Sequence, residues 1–105
     1  GDLMAMISIH CDAYIAMDIA GAMLCMEFDD VDDDVKDAMG EVANMLAGGL
    51  KSRLLDDGLD TTLAIPTTVM GKGYNISSPK RGNRVVVPFD LVQGRFFVDI
   101  KYNMQ

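Results

Sequence analysis

Residues 32–55 read DDDVKDAMGEVANMLAGGLKSRLL, and the spacing of the apolar residues in this stretch sets the architecture of the chain. At about 100° per residue, Val35, Met39, Val42, Leu46 and Leu50 fall on one side of a helix and form its core face. Asp37, Glu41, Asn44 and Gly48 fall nearly opposite, within about 60° of one another. Asp32, Asp33 and Asp34 occupy the first turn, where carboxylates suit the positive end of the helix dipole. Gly58 supplies a stop. Asn is a middling-to-poor helix former, and Gly costs about 1 kcal/mol relative to Ala. Asn44, Gly48 and Gly49 therefore weaken the helix that contains them. Spacing alone leaves two readings open. Either the polar face is solvated and the glycines pack closely against the sheet or the other helix, or the face is kept thin so that another protein's backbone can come near Gly48.

Outward from this helix, residues 3–10 (LMAMISIH) are apolar and end in a β-branched alternation, which predicts a strand. Residues 13–28 (AYIAMDIAGAMLCMEF) are rich in Ala and Met and predict a mostly buried helix. Residues 29–34 (DDVDDD) form an acidic break. Residues 61–70 (TTLAIPTTVM) predict one strand in which Pro66 imposes an edge, bulge or bend. Residues 71–83 are rich in Gly, Ser, Asn and basic side chains and predict a hairpin or mobile loop. Residues 84–89 (RVVVPF) and 95–102 (RFFVDIKY) predict two further strands joined by a turn over 90–94. The order β-α-α-β-β-β implies an α+β domain spanning 1–105, with two helices, one long, on a mainly antiparallel β-sheet.

A chain of 105 residues that is half hydrophobic suffices for one domain with a real core. Its net charge of −7, from sixteen acidic and nine basic residues, excludes general binding to nucleic-acid phosphates and disfavours an anionic membrane surface. No long uncharged apolar run predicts a membrane-spanning helix. The opening GDLMAMISIH lacks the basic region and cleavage site of a signal peptide, and Gly1 in place of Met reads as a processed tag or an excised domain. Cys11 and Cys25 read as free buried thiols of a cytoplasmic protein. Of the nine methionines, Met4, Met6, Met17, Met23, Met26, Met39 and Met45 fall mostly at positions read as buried.

Other constellations are weak. Asp30, Asp32 and Asp34 have the odd-position spacing of an EF-hand, and Glu41 falls at the twelfth place, but Val35 stands where that loop needs Gly. His10, Cys11 and Cys25 lack metal-ligand spacing. Gly71-Lys72-Gly73 lacks the remainder of a phosphate loop. Lys80, Arg81 and Arg84 form a small basic cluster in the loop region, read as ordinary solvation or as a contact to an acidic partner.

The run DAMGEVANMLAGGLKSRL, followed by AIPTTVMG, resembles the CheX family of chemotaxis phosphatases, relatives of CheC. The resemblance covers residues 39–71 well and the C-terminal strands loosely. The family pattern is an acidic or hydroxyl residue, three residues, Glu, two residues, Asn, then a proline about twenty residues on; here that is Asp37, Glu41, Asn44 and Pro66. The resemblance implies hydrolysis of the aspartyl phosphate of a CheY-type response regulator. It implies that Asn44 orients the attacking water and that Glu41 pairs with the regulator's active-site lysine. Asp37 matches the first position of the pattern, and Gly48 is assigned to partner clearance from its place on the helix. The resemblance implies no cofactor of this chain's own, with Mg²⁺ belonging to the partner regulator, and a homodimer. The N-terminal half is shorter than the resemblance implies, since HCDAY passes almost directly from strand to helix. Two alternatives remain: a non-catalytic module that binds a regulator or another chemotaxis protein, and a structural dimeric domain.

Overall fold

A computed structural model of the chain describes residues 2–71 and 83–104. Strand β1 (Leu3–Cys11) is the axis of the fold. Its side chains alternate strictly: Leu3, Ala5, Ile7, Ile9 and Cys11 are buried, while Met4 and Met6 are about half exposed. The buried stripe faces two helices, α1 (Ala13–Leu24) and α2 (Asp33–Asp56). Two short strands, β2 (Thr61–Leu63) and β3 (Thr67–Met70), pair with one side of β1, and β5 (Gly94–Met104) pairs with the other. Strand β4 (Asn83–Leu91) pairs with β5 and forms the opposite edge. Both helices lie on one face of the sheet. The core joins Ile7, Ile9, Phe96 and Val98 to Ile15, Ala16 and Ala20 of α1 and to Val35, Ala38, Met39, Ala43 and Ala47 of α2.

The α+β architecture with one long helix is as expected, but the sheet is mixed. Strands β2 and β3 run parallel to β1, while β1–β5 and β4–β5 are antiparallel. The chain leaves β1, passes through both helices and returns in the same direction, which is the crossover a parallel pair requires. The single strand expected over 61–70 is two. The register of β2 on β1 runs Leu3↔Thr61, and that of β3 runs Ser8↔Thr67, so one extra residue has entered between them. This bulge holds Pro66, whose missing N–H a ladder cannot use, and turns Ile65 out to 87% exposure.

Helix α1 stops at Leu24, four residues before the expected end. Cys25 adopts the left-handed conformation (φ 55°), and the Met26 N–H donates to the Gly21 carbonyl at 3.2 Å. The returning chain brings the Met26 carbonyl oxygen to 2.7 Å from where a Cβ on Gly21 would stand. Cys25 is exposed at this turn, which corrects its reading as a buried thiol; Cys11 is buried as expected. The methionine expectation is corrected as well. Met39 is fully buried, but Met4, Met6, Met23, Met26 and Met45 are all substantially exposed. Helix α2 begins as read: the Val35 N–H donates to Asp32 Oδ1 at 3.0 Å, and Asp33 and Asp34 follow in the first turn. It ends at Asp56, and Gly58 beyond it turns left-handed (φ 88°), where the Leu59 N–H donates to the Leu54 carbonyl at 2.8 Å.

The sheet face away from the helices carries an ionic group. Asp99 is 4% exposed; it accepts from Arg84 Nε at 2.9 Å and stands 3.9 Å from His10 Nε2. Arg84 is therefore a strand residue paired with a buried carboxylate, not part of a solvated basic loop; Lys80 and Arg81 lie outside the described residues. Burial holds His10 below its ordinary pKa of 6.5, with Arg84 and Lys101 acting in the same sense and Asp99 against it.

Two predictions follow from this packing. Gly21→Ala forces the Met26 backbone to move and should lower stability by about 1–3 kcal/mol in urea unfolding. His10 takes up its proton less readily in the folded chain than in the unfolded one. Stability should therefore be complete above about pH 6.5 and decline as pH falls below it, and His10→Gln should flatten that part of the profile.

Candidate functional site

The outer face of α2 presents a row of polar and small residues. Asp37, Glu41, Asn44 and Gly48 are all exposed, and their spacing of four, three and four residues stacks them along one side of the helix. The opposite side is anchored: Val35, Ala38, Met39, Ala43 and Ala47 are buried, with Val42, Leu46 and Leu50 partly buried beside them. The core stripe is thus wider than the sequence pattern suggested, because three alanines take part in it. The four residues expected to share a face do so.

Among the described residues, no side-chain hydrogen bond or ion pair engages Asp37, Glu41 or Asn44. By contrast, Asp57 lies 3.7 Å from Arg53, and Asp90 accepts two hydrogen bonds from Arg95. Asn44 is exposed, no backbone group among the described residues holds its side chain, and none of the described strands covers the face. An amide in this state keeps both its donor and its acceptor capacity for another molecule.

The glycines bear on the close-packing reading left open by spacing. A Cβ added at Gly48 or Gly49 would meet nothing within 4 Å. Close packing inside the chain does not account for them. Gly48 leaves a shallow place on the face that also carries Asn44.

The remaining sequence candidates disperse. Asp30 Oδ1 accepts from the Val31 N–H, and Asp32 caps α2, so the EF-hand spacing serves a helix start. No group of His, Cys, Asp and Glu able to hold a metal ion occurs among the described residues. Cys11 faces the helices and His10 the other side of the sheet, while Cys25 sits at the end of α1. Burial pushes the Cys11 thiol up to about 11, so it stays protonated near neutrality. Lys72 and Gly73 of the glycine-lysine motif lie outside the described residues. Pro66 sits at the bulge between β2 and β3, strands over which α2 packs. No helix among the described residues is long and apolar enough to cross a membrane.

Sequence reasoning missed Met45, which is 68% exposed beside this face. The signal was available: Met45 is four residues from Glu41 and adjacent to Asn44, so it lies off the Val35–Met39 stripe. It also missed Asp99, a lone carboxylate inside the apolar strand RFFVDIKY.

The long helix of this α+β domain displays an exposed carboxylate and an exposed amide one turn apart, with no side-chain partner among the described residues. The family model for chemotaxis phosphatase CheX matches residues 1–90, and the chain belongs to the CheX family. The crystal structure of chemotaxis protein CheX from Vibrio vulnificus is 32% identical, with a TM-score of 0.76, over 92% of this chain and 64% of that one. A CheC-like superfamily protein from Shewanella sp. PV-4 is 30% identical, with a TM-score of 0.74, over 87% of this chain and 59% of that one. This chain therefore spans about three fifths of the length of both structures. A search of curated proteins gave no match.

The open surroundings of Gly48 lead to a stability prediction. Gly48→Ala should raise stability by about 0.5–1 kcal/mol in urea unfolding, since it gains helix propensity without a clash. A loss of stability would mean that the glycine is packed after all.

Proposed function

We propose that this chain is a phosphatase that hydrolyses the aspartyl phosphate of a CheY-type response regulator in chemotaxis signalling. The observation that carries the reading is the pairing of exposed Glu41 and Asn44 on one face of α2, without partners of their own, in a chain of the CheX family.

The chemistry suits these residue types. An acyl phosphate is already activated, so catalysis consists largely of holding a water in line with the phosphorus. The Asn44 carboxamide accepts from that water through its oxygen and donates through its nitrogen, and it remains neutral beside the phosphoryl group. Water attacks phosphorus, the bond from phosphorus to the aspartyl oxygen breaks, and the products are inorganic phosphate and the regulator's free carboxylate. A carboxylate aimed at the phosphoryl group would repel it. Glu41 instead pairs with the regulator's active-site lysine and docks the helix by a charge-assisted contact. Asp37 extends the acidic rim one turn earlier, and Gly48 admits the regulator's backbone. Mg²⁺ belongs to the regulator in this reading, and the chain supplies no cofactor.

The proposal includes a homodimer, since β4 and the broken β2–β3 pair leave sheet edges that a second copy would cover. It also places the protein in the cytoplasm with its regulator. The same exposed face supports a second reading. On that reading the same face docks a regulator without turning it over.

The test is loss of acyl phosphate from a phosphorylated CheY-type regulator, with and without this protein. Asn44→Ala should reduce kcat by about 100-fold or more with little change in KM, because it removes the group that orients the water. Glu41→Ala should raise KM by about tenfold. Turnover by Asn44→Ala at the wild-type rate would sink the mechanism. Binding without acceleration by the wild type would establish the docking module instead.

A further inference from the structure

The surface beside the Glu41–Asn44 face is apolar. Met45 directly follows Asn44 and lies one turn beyond Glu41, so its Cβ stands about 5–6 Å from that of Glu41. At 68% exposure it is the most exposed large apolar side chain in either helix. Beside it, a groove of about 360 Å³ runs between α1, α2 and the β4–β5 turn. Ile19, Ala22 and Met23 of α1 line it with Leu91 of β4, and Asp18 stands on its rim. Met23 and Leu91 are themselves 42% and 37% exposed.

We infer that this groove is the second half of the docking surface for the phosphorylated response regulator, and that it seats an apolar segment flanked by basic side chains. The inference rests on the reading of Glu41 and Asn44 given above. Met45 stacks one turn beyond Glu41 on the same side of α2, so a body that pairs with Glu41 comes alongside Met45. The groove continues from Met45 onto α1, so the covered area extends there. Charge selects the occupant. Asp18 lines the groove, Glu41 stands one turn from Met45 on α2, none of the groove's own residues is basic, and the chain carries −7. A second copy of this chain would bring a further −7 and a second Asp18 to the same rim, which opposes self-association there. A regulator that offers a lysine to Glu41 already supplies one of the complementary charges. Methionines suit such a seat, since their unbranched, polarisable side chains adapt to an apolar partner.

The experiment uses the full chain and a CheY-type regulator, either phosphorylated or loaded with beryllofluoride. Ala22→Arg and Met23→Gln alter the groove on α1, away from Asn44, at exposed positions; melting curves confirm that both fold. Met4→Gln, on the opposite face of the sheet, is the control. The expected result is a KM raised about tenfold or more in both groove variants, with kcat within about threefold of wild type and the control unchanged. That split is the reverse of the one expected for Asn44→Ala. If the wild type is active and both groove variants keep its KM, the groove inference falls while the phosphatase reading stands. If the wild type binds without turnover, the phosphatase reading falls, and the Kd of the same variants decides the groove by the same tenfold criterion. If the wild type neither binds nor turns over the regulator, both fall. A change of mass in Ala22→Arg by light scattering, from dimer to monomer, would assign the groove to a second copy and overturn the inference.

Discussion

The contact between α2 and the central strand governs the rest of the molecule. β1 offers Ile7, Ile9 and Cys11 on one face, and α2 lays Val35, Met39, Ala43 and Ala47 toward that core. Burying Met39, Val35, Ile7 and Ile9 contributes roughly 1.5–3 kcal/mol for each. The alanines add little area but allow the backbones to come close. Because this stripe alone holds α2 down, the opposite side of the helix is free of structural duty. A face of that kind can carry residues chosen for something other than folding. The helix end is held by Asp32 and its dipole by Asp33 and Asp34, so neither end depends on the polar face.

The layers divide the labour further. Both helices sit on one side of the sheet, and the ionic group of Asp99, Arg84 and His10 sits on the other. A carboxylate that is 4% exposed requires a close partner, since an unpaired buried charge is far costlier than a paired one. The 2.9 Å contact from Arg84 meets that need and ties β4 to β5 by a side-chain bond as well as by the backbone ladder. The strand that forms one sheet edge is thereby fixed to the strand beside the axis.

Much of this was legible in the residues. The long helix, its acidic start and its glycine stop follow from periodicity and capping chemistry, and the shared face of Asp37, Glu41, Asn44 and Gly48 follows from the turn angle alone. The parallel course of β2 and β3 was not legible, since strand direction depends on how the helices carry the chain back, and no local residue encodes that. The early end of α1 was concealed because Cys25 is an uncommon residue in the left-handed region, where Gly or Asn would have marked a stop. Met45 was misread because methionine was taken as a core residue by type, whereas its angle on the helix places it beside Glu41. Asp99 needed the fold, for its partners come from two other strands.

The composition of the exposed face argues for use by a partner more strongly than any single residue on it. A helix that needed only solubility would fill this face with Lys, Glu, Gln or Ala, all better helix formers. Here Asn44, Gly48 and Gly49 together give up about 2–3 kcal/mol of helix propensity. No contact among the described residues recovers it, since neither glycine has a described neighbour within 4 Å of an added Cβ. Solvation explains a polar residue at such a position but does not explain a glycine. On the proposed function a second protein passing close to the helix accounts for both, since it would use an amide to place a water and a gap to bring its own backbone alongside. The cost is tolerable because the buried stripe on the far side of α2 holds the helix in place.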